Sequence, residues 1–240
     1  ISIEYFIDKG LSKIPAYGPL PVTVPGAVDG WVKLHEKFGK LEFKSLFEPT
    51  IKYANEGFPV TELIAYYLDR SKERFKDYPN FKEVWMKNGK MPEKGEIFKN
   101  PQLAKTLEII AEKGRDGFYE GDVAKTMADF IQSQGGFLTY EDISSFHSEW
   151  TPPVSSNYRG YDVWELPPNG QGIAALQILN ILENYDIQKM GLFNSEYIHL
   201  FTEAKKLAFA DRAKYYADPN FSKIPVKQLI SKSYAKERLK

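Results

Sequence analysis

Three histidines, His35, His147 and His199, stand far apart in this 240-residue chain, and no two of them share the i, i+3 or i+4 spacing that gives one helix face two metal ligands. His199 and Glu203 lie one helical turn apart, which could hold an ion but fits a helix-surface pair or a satisfied, half-buried histidine better. No cysteine is present, which excludes thiol nucleophiles, thiolate metal sites and disulfides and leaves the compartment open. Glu141, Asp142 and Glu149 have the makings of paired glycosidase carboxylates, yet adjacent acids after Thr139 read more simply as the first turn of a helix. Pro167-Pro168-Asn169-Gly170-Gln171-Gly172 leads into an apolar run, so its amides could bind a carboxylate at a helix N-terminus or merely form a tight cap. Glu203, Lys206, Asp211 and Arg212 are spaced as ion pairs along a solvated helix. These residues imply no metal and no cofactor.

The elements that must position these groups are mainly helices. Residues 1–26 read as extended and Pro-rich, and the Val24-Pro25-Gly26 turn signals a helix that Gly39 stops. A second apolar segment, Leu46 to Asn55, stops at Gly57, and Thr61 caps a longer helix with Leu63, Ile64, Tyr67 and Leu68 on one side. Residues 77–100 read as irregular connection. Asn100-Pro101 opens a helix that runs to Gly114, and another covers Asp122 to Gln134. Val154–Tyr158 and Tyr161–Leu166 flank Arg159-Gly160 as the one clear antiparallel hairpin. Gly172 to Glu183 reads as a buried helix, and Ser195 caps a long one to Ala217. The expectation is one helix-rich, mixed α+β domain over residues 1–240.

Composition excludes several partners. Lys and Arg number 32 and Asp and Glu number 32, so no net field draws in nucleic acid or an anionic membrane. Fifteen tyrosines and four tryptophans are not interleaved with a basic stripe, which assigns them to packing rather than base stacking. No apolar run reaches the roughly 20 residues of a membrane span. The chain begins Ile1-Ser2-Ile3 rather than with Met, as a truncated or processed start does, so a signal peptide and the localisation stay open.

Four ordered segments resemble the gamma-glutamyltranspeptidase family. They are Val24-Pro25-Gly26-Ala27-Val28-Asp29-Gly30-Trp31 with Glu48-Pro49-Thr50-Ile51; Phe118-Tyr119-Glu120-Gly121 with Gly135-Gly136-Phe137-Leu138-Thr139; Tyr158-Arg159-Gly160 with Leu166-Pro167-Pro168 and Leu176 to Glu183; and Glu203 to Arg212 with Asp218-Pro219 and Ser233-Tyr234-Ala235. The resemblance implies an N-terminal-nucleophile hydrolase of four αββα layers, of which this chain is the helix-rich large-subunit part. It implies a precursor that cuts itself to expose a Thr at the start of a small subunit, shortly beyond the segment Tyr234 to Arg238. That Thr supplies both nucleophile and, through its α-amine, base. No residue of 1–240 is thereby catalytic, and the substrate-binding residues are unknown. The implied partners are the small subunit from the same precursor and a small γ-glutamyl compound such as glutathione.

Two departures bear on the substrate. The family grips the substrate α-carboxylate with an Arg upstream of the Val-Pro-Gly segment, a bidentate task, whereas no Arg precedes Arg70 here, so either that piece lies in an N-terminal part outside this sequence or a γ-glutamyl group is not held in the family's way. Where the family has two serines and two glycines after its prolines, Asn169 and Gln171 intrude. An acylase acting on another amide, or an inactive helical scaffold, is the alternative. On the family's scaffold, Asp211 and Arg212 could instead form a buried ion pair at the junction with the small subunit.

Overall fold

A computed structural model describes residues 2–191 and 193–240, which form two compact units, Ile1–Ser148 and Glu149–Lys240. The first unit contains α1 (Ile3–Asp8), α2 (Ala27–Phe38), a 3-10 turn (Phe43–Phe47) running into α3 (Glu48–Glu56), β1 (Phe58–Pro59), α4 (Glu62–Phe75), α5 (Phe81–Trp85), β2 (Ile97–Phe98), α6 (Pro101–Tyr119), α7 (Gly121–Ser133) and α8 (Tyr140–Ser144). Its core gathers around α6, where Leu107, Ile110, Ala111 and Tyr119 meet Val28 of α2, Phe47 of the 3-10 turn and Ala124 and Ala128 of α7.

The predicted boundaries hold where a cap or a stop carries them. α2 begins after Gly26 and ends at Gly39. Thr61 Oγ1 accepts from the Ile64 amide at the start of α4, and Asn100 Oδ1 accepts from the Leu103 amide at the start of α6, with Pro101 in its first turn. Gly114, at φ 59°, breaks the helical backbone where a stop was expected, but α6 resumes beyond it to Tyr119. Three expectations are corrected. Residues 2–26 are not uniformly extended, because Ile3–Asp8 forms α1 around buried Phe6; Ile1 lies outside the described residues. Residues 77–100 contain α5 and β2. The hairpin at Arg159 is not the only strand pair, since β1 and β2 pair antiparallel with Phe58 opposite Phe98. Gly57 permits that pairing: its φ is 94°, and a Cβ there would lie 2.9 Å from the Phe98 carbonyl oxygen.

Glu141 and Asp142 sit in the first turn of α8, in a capping box: Thr139 Oγ1 accepts from the Asp142 amide at 3.0 Å, and Asp142 Oδ2 accepts from the Thr139 amide at 2.8 Å. Thr139→Ala is expected to cost about 1 kcal/mol, visible as faster amide hydrogen exchange confined to α8.

The second unit contains β3 (Val154–Tyr158), β4 (Tyr161–Glu165), α9 (Gly172–Leu182), α10 (Ile187–Met190), α11 (Ser195–Tyr215), α12 (Val226–Leu229) and α13 (Lys232–Arg238). The hairpin is the expected one, with Tyr158 opposite Tyr161, and Arg159 and Gly160 both take the positive φ that a tight two-residue turn demands. α9 is apolar on several sides because it is enclosed: Ile173 and Leu176 pack with Leu229, while Ile181 and Leu182 pack with Ala204 and Ala235. α11 is capped by Asn194, whose Oδ1 accepts from the Glu196 amide, rather than by Ser195, and it ends at Tyr215. Among the described residues no helix is long and apolar enough to cross a membrane.

Candidate functional site

In the first unit the turn Val24 to Trp31 is tied down by Asp29, which is fully buried. Its Oδ2 accepts from the Ser148 amide at 2.6 Å. Arg115 Nε lies 3.0 Å from Oδ1, an ion-pair contact without hydrogen-bond alignment. The same guanidinium donates to the carbonyls of Ser144 at 2.8 Å and Phe146 at 2.7 Å. Tyr119 completes the knot: its hydroxyl accepts from the Asp29 amide at 3.1 Å and donates to the Pro25 carbonyl at 2.6 Å. Burial by itself would raise the Asp29 pKa; the Ser148 hydrogen bonds and the Arg115 charge outweigh it and hold the carboxyl below its ordinary value. With every partner internal, this knot joins the start of α2 to the end of α6 and the chain after α8, and it presents nothing to a ligand.

The second unit has a larger polar cluster at Asp211 of α11, which is 5% exposed. Gln177 Nε2 of α9 donates to Asp211 Oδ2 at 2.8 Å, and the Tyr216 hydroxyl donates to Gln177 Oε1. Tyr234 of α13 donates to Asp211 Oδ1 at 3.0 Å, and Arg238 Nη2 lies 3.6 Å from the same oxygen. Burial first and the Asp211 charge second push the Tyr216 hydroxyl pKa up; burial and the hydrogen bond to Asp211 push Tyr234 up to about 12. The cationic partner of Asp211 is therefore Arg238, not the neighbouring Arg212. Adjacent helix residues point in different directions, and Arg212 is exposed. The signal that sequence reasoning missed is Gln177 and Asn180 at i, i+3 in an otherwise apolar helix. Both are buried, and Asn180 Nδ2 donates to the Ile230 carbonyl at 2.7 Å.

The Pro167–Gly172 loop forms one wall of an open cleft of about 450 Å³ lined by Asn169, Gly170, Gln171, Arg212, Ala213 and Tyr216. Gly172 opens α9 because nothing larger fits: a Cβ would lie 2.5 Å from Glu165 Oε2 and 2.9 Å from the Leu166 carbonyl oxygen. Gly172→Ala is expected to destabilise the second unit by about 1–3 kcal/mol, read as a lowered guanidinium midpoint; an unchanged midpoint would mean that the hairpin end gives way freely.

The remaining candidates are dispersed. His35 Nε2 lies 2.8 Å from the Leu41 carbonyl oxygen, and Glu203 pairs with Lys206 one turn from it at 2.9 Å. Among the described residues no group of three or more His, Asp or Glu could hold a metal, and no Ser or Thr hydroxyl donates to a histidine. The Thr139 hydroxyl donates to Asp142 at 2.6 Å within the exposed capping box.

The sequence profile of the family described as Gamma-glutamyltranspeptidase matches residues 1–240. A glutathione hydrolase-like proenzyme, YwrD, of Bacillus subtilis is 41% identical over 232 residues, covering 96% of this chain and 44% of that relative. The chain thus spans less than half of that relative's length. Among solved structures, the cephalosporin acylase of Bacillus halodurans superposes with a TM-score of 0.91 at 38% identity, over 99% of this chain and 45% of that one. The gamma-glutamyltranspeptidase of Helicobacter pylori does so with 0.87 at 36% identity, over 95% and 66%. The fold is accordingly that of the helix-rich large-subunit part of an N-terminal-nucleophile hydrolase. By profile, by identity and by superposition, the chain belongs to the gamma-glutamyltranspeptidase family.

Proposed function

We propose that this chain is the large-subunit portion of a self-processing enzyme that hydrolyses or transfers γ-glutamyl groups of glutathione-like amides. The observation that carries the reading is the family match from residue 1 to residue 240 together with a 41% identical relative that is a proenzyme. Residues 1–240 act as one large-subunit piece, and the nucleophile is a Thr at the start of a small subunit from the same precursor. Its hydroxyl attacks the amide carbonyl carbon while its own α-amine takes the proton, and backbone donors of the small subunit stabilise the oxyanion. The γ-glutamyl ester then passes to water or to an amino acid. No cofactor and no nucleic acid takes part; the balanced charge supports the latter. Against a stand-alone scaffold stand large apolar side chains in solvent, among them Phe38 at 63%, Leu63 at 62% and Trp164 at 60% exposure.

An acylase on the same scaffold is the second reading, favoured by the 0.91 superposition on a cephalosporin acylase. Denaturing intact-mass analysis and N-terminal sequencing of the full gene product test the common part: two chains are expected, one starting with Thr, and a single uncut species would overturn it. γ-Glutamyl and glutaryl anilides then separate the readings, with faster turnover of the γ-glutamyl anilide expected.

A further inference from the structure

The last helix of the second unit is held in place more by polar contacts than by apolar burial. α13 has seven residues, too few to stand alone, and Ala235 is the fully buried member. At its start Lys232 donates to Glu183 and to the Asn157 carbonyl, and just before it Asn180 holds the Ile230 carbonyl. In its middle and at its end Tyr234 and Arg238 converge on Asp211, and Arg238 also donates to the Leu207 carbonyl at 3.3 Å. Asp211 is itself held through its other oxygen by Gln177, which Tyr216 orients in turn. This half-buried ion pair adds little net stability, but with Tyr234 on the same carboxylate oxygen it restricts how α13 can sit. The cluster therefore fixes the axial position and rotation of α13 on α11.

We infer that Asp211, acting through Tyr234 and Arg238, is a positioning residue for self-cleavage of the precursor, fixing where and in what direction the chain leaves α13. The inference rests on the self-processing reading above, in which the chain continues from α13 to the Thr. In that step the Thr hydroxyl oxygen bonds to the carbonyl carbon of the residue before it, the C–N bond breaks and the hydroxyl proton passes to the freed amine. Water then hydrolyses the ester, leaving a new carboxyl terminus and restoring the hydroxyl. Such an intramolecular attack depends steeply on approach geometry, about 100-fold for a 1 Å misplacement. A loosened α13 should slow it without touching the chemistry of the finished enzyme.

The test uses the full-length precursor. Asp211→Asn removes the charge, Tyr234→Phe removes one hydroxyl, and Ile173→Ala opens an apolar cavity in the same unit while leaving every polar contact of α13 in place. Conversion to two chains is followed by intact mass, alongside the melting temperature of each precursor and the kcat and KM of the processed fraction. Asp211→Asn and Tyr234→Phe are expected to convert about 10- to 100-fold more slowly, with kcat and KM of the processed fraction unchanged, and Ile173→Ala within about twofold of wild type even where it melts lower. Wild-type conversion rates in both clamp variants, or slowing matched by Ile173→Ala at equal melting temperature, would overturn the inference. Should Asp211→Asn fail to fold, Tyr234→Phe decides. A wild-type precursor that stays uncut fails differently: it sinks the self-processing reading and this inference with it.

Discussion

Asp29→Asn is expected to lower the stability of the first unit by about 3–5 kcal/mol, the cost of breaking a buried charge pair by removing one member. Asparagine keeps the volume but not the charge, and both carboxylate oxygens face donors: the Ser148 amide at 2.6 Å and Arg115 Nε at 3.0 Å. An amide NH2 must point at one of them, and Arg115, only 14% exposed, loses its buried counterion. Hydrogen-exchange protection of α2 and α6 reads the loss locally, without requiring the whole chain to unfold in one step. Loss of protection in those helices is the expected result; protection unchanged from wild type would mean that the Ser144 and Phe146 carbonyls, with Glu120 and Asp116, satisfy Arg115 without Asp29.

The same site has a pH signature of definite sign. The Asp29 pKa is held below 3.8 in the folded state, so its contribution is fully present above that value and drains away as pH falls through the folded pKa. Wild type should therefore lose protection in α2 and α6 on acidification below about pH 4, and Asp29→Asn should show a flatter profile there. Parallel acid profiles would assign the acid sensitivity to other carboxylates.

None of this was legible in the run Val24 to Trp31, although its ends were. A Pro-Gly turn before an apolar period and a glycine after it are local signals, and α2 begins and ends where they fall. The partners of Asp29 lie 90 and 119 residues away along the chain, beyond any periodicity. Asp211 shows the same limit from the other side. A charged run on a long helix suggested solvated pairs or a pair with Arg212, while burial assigned Asp211 to Arg238, Tyr234 and Gln177. α1 and the two-residue strands β1 and β2 went unseen because segments so short carry no period and exist through tertiary packing. The αββα scaffold and the family were legible only through ordered motif segments, most of which turn out to be structural: a knot, a hairpin turn and a core helix.

That core helix gives the second large effect. α9 carries two sets of contacts at once. Ile173 and Leu176, each fully buried, face Leu229 and the apolar side chains around it, while Gln177 and Asn180 face polar partners on α11 and before α13. Leu176→Ala removes three side-chain carbons from a site with no solvent access, and a loss of about 2–5 kcal/mol is expected. Leu176→Met, which conserves volume, should cost less than about 1.5 kcal/mol. The polar contacts of α13 are untouched, so hydrogen exchange is expected to rise in α9 and to stay as in wild type in α13. Guanidinium unfolding gives the energy and peptide-level exchange gives the location. A cost below about 1 kcal/mol would mean that the surrounding side chains collapse into the space. A full cost with α13 still protected would show the Asp211 clamp holding its helix independently of the apolar core, whereas exchange rising in α13 as well would mean that α9 couples the two sets and that polar geometry alone does not set where the chain departs.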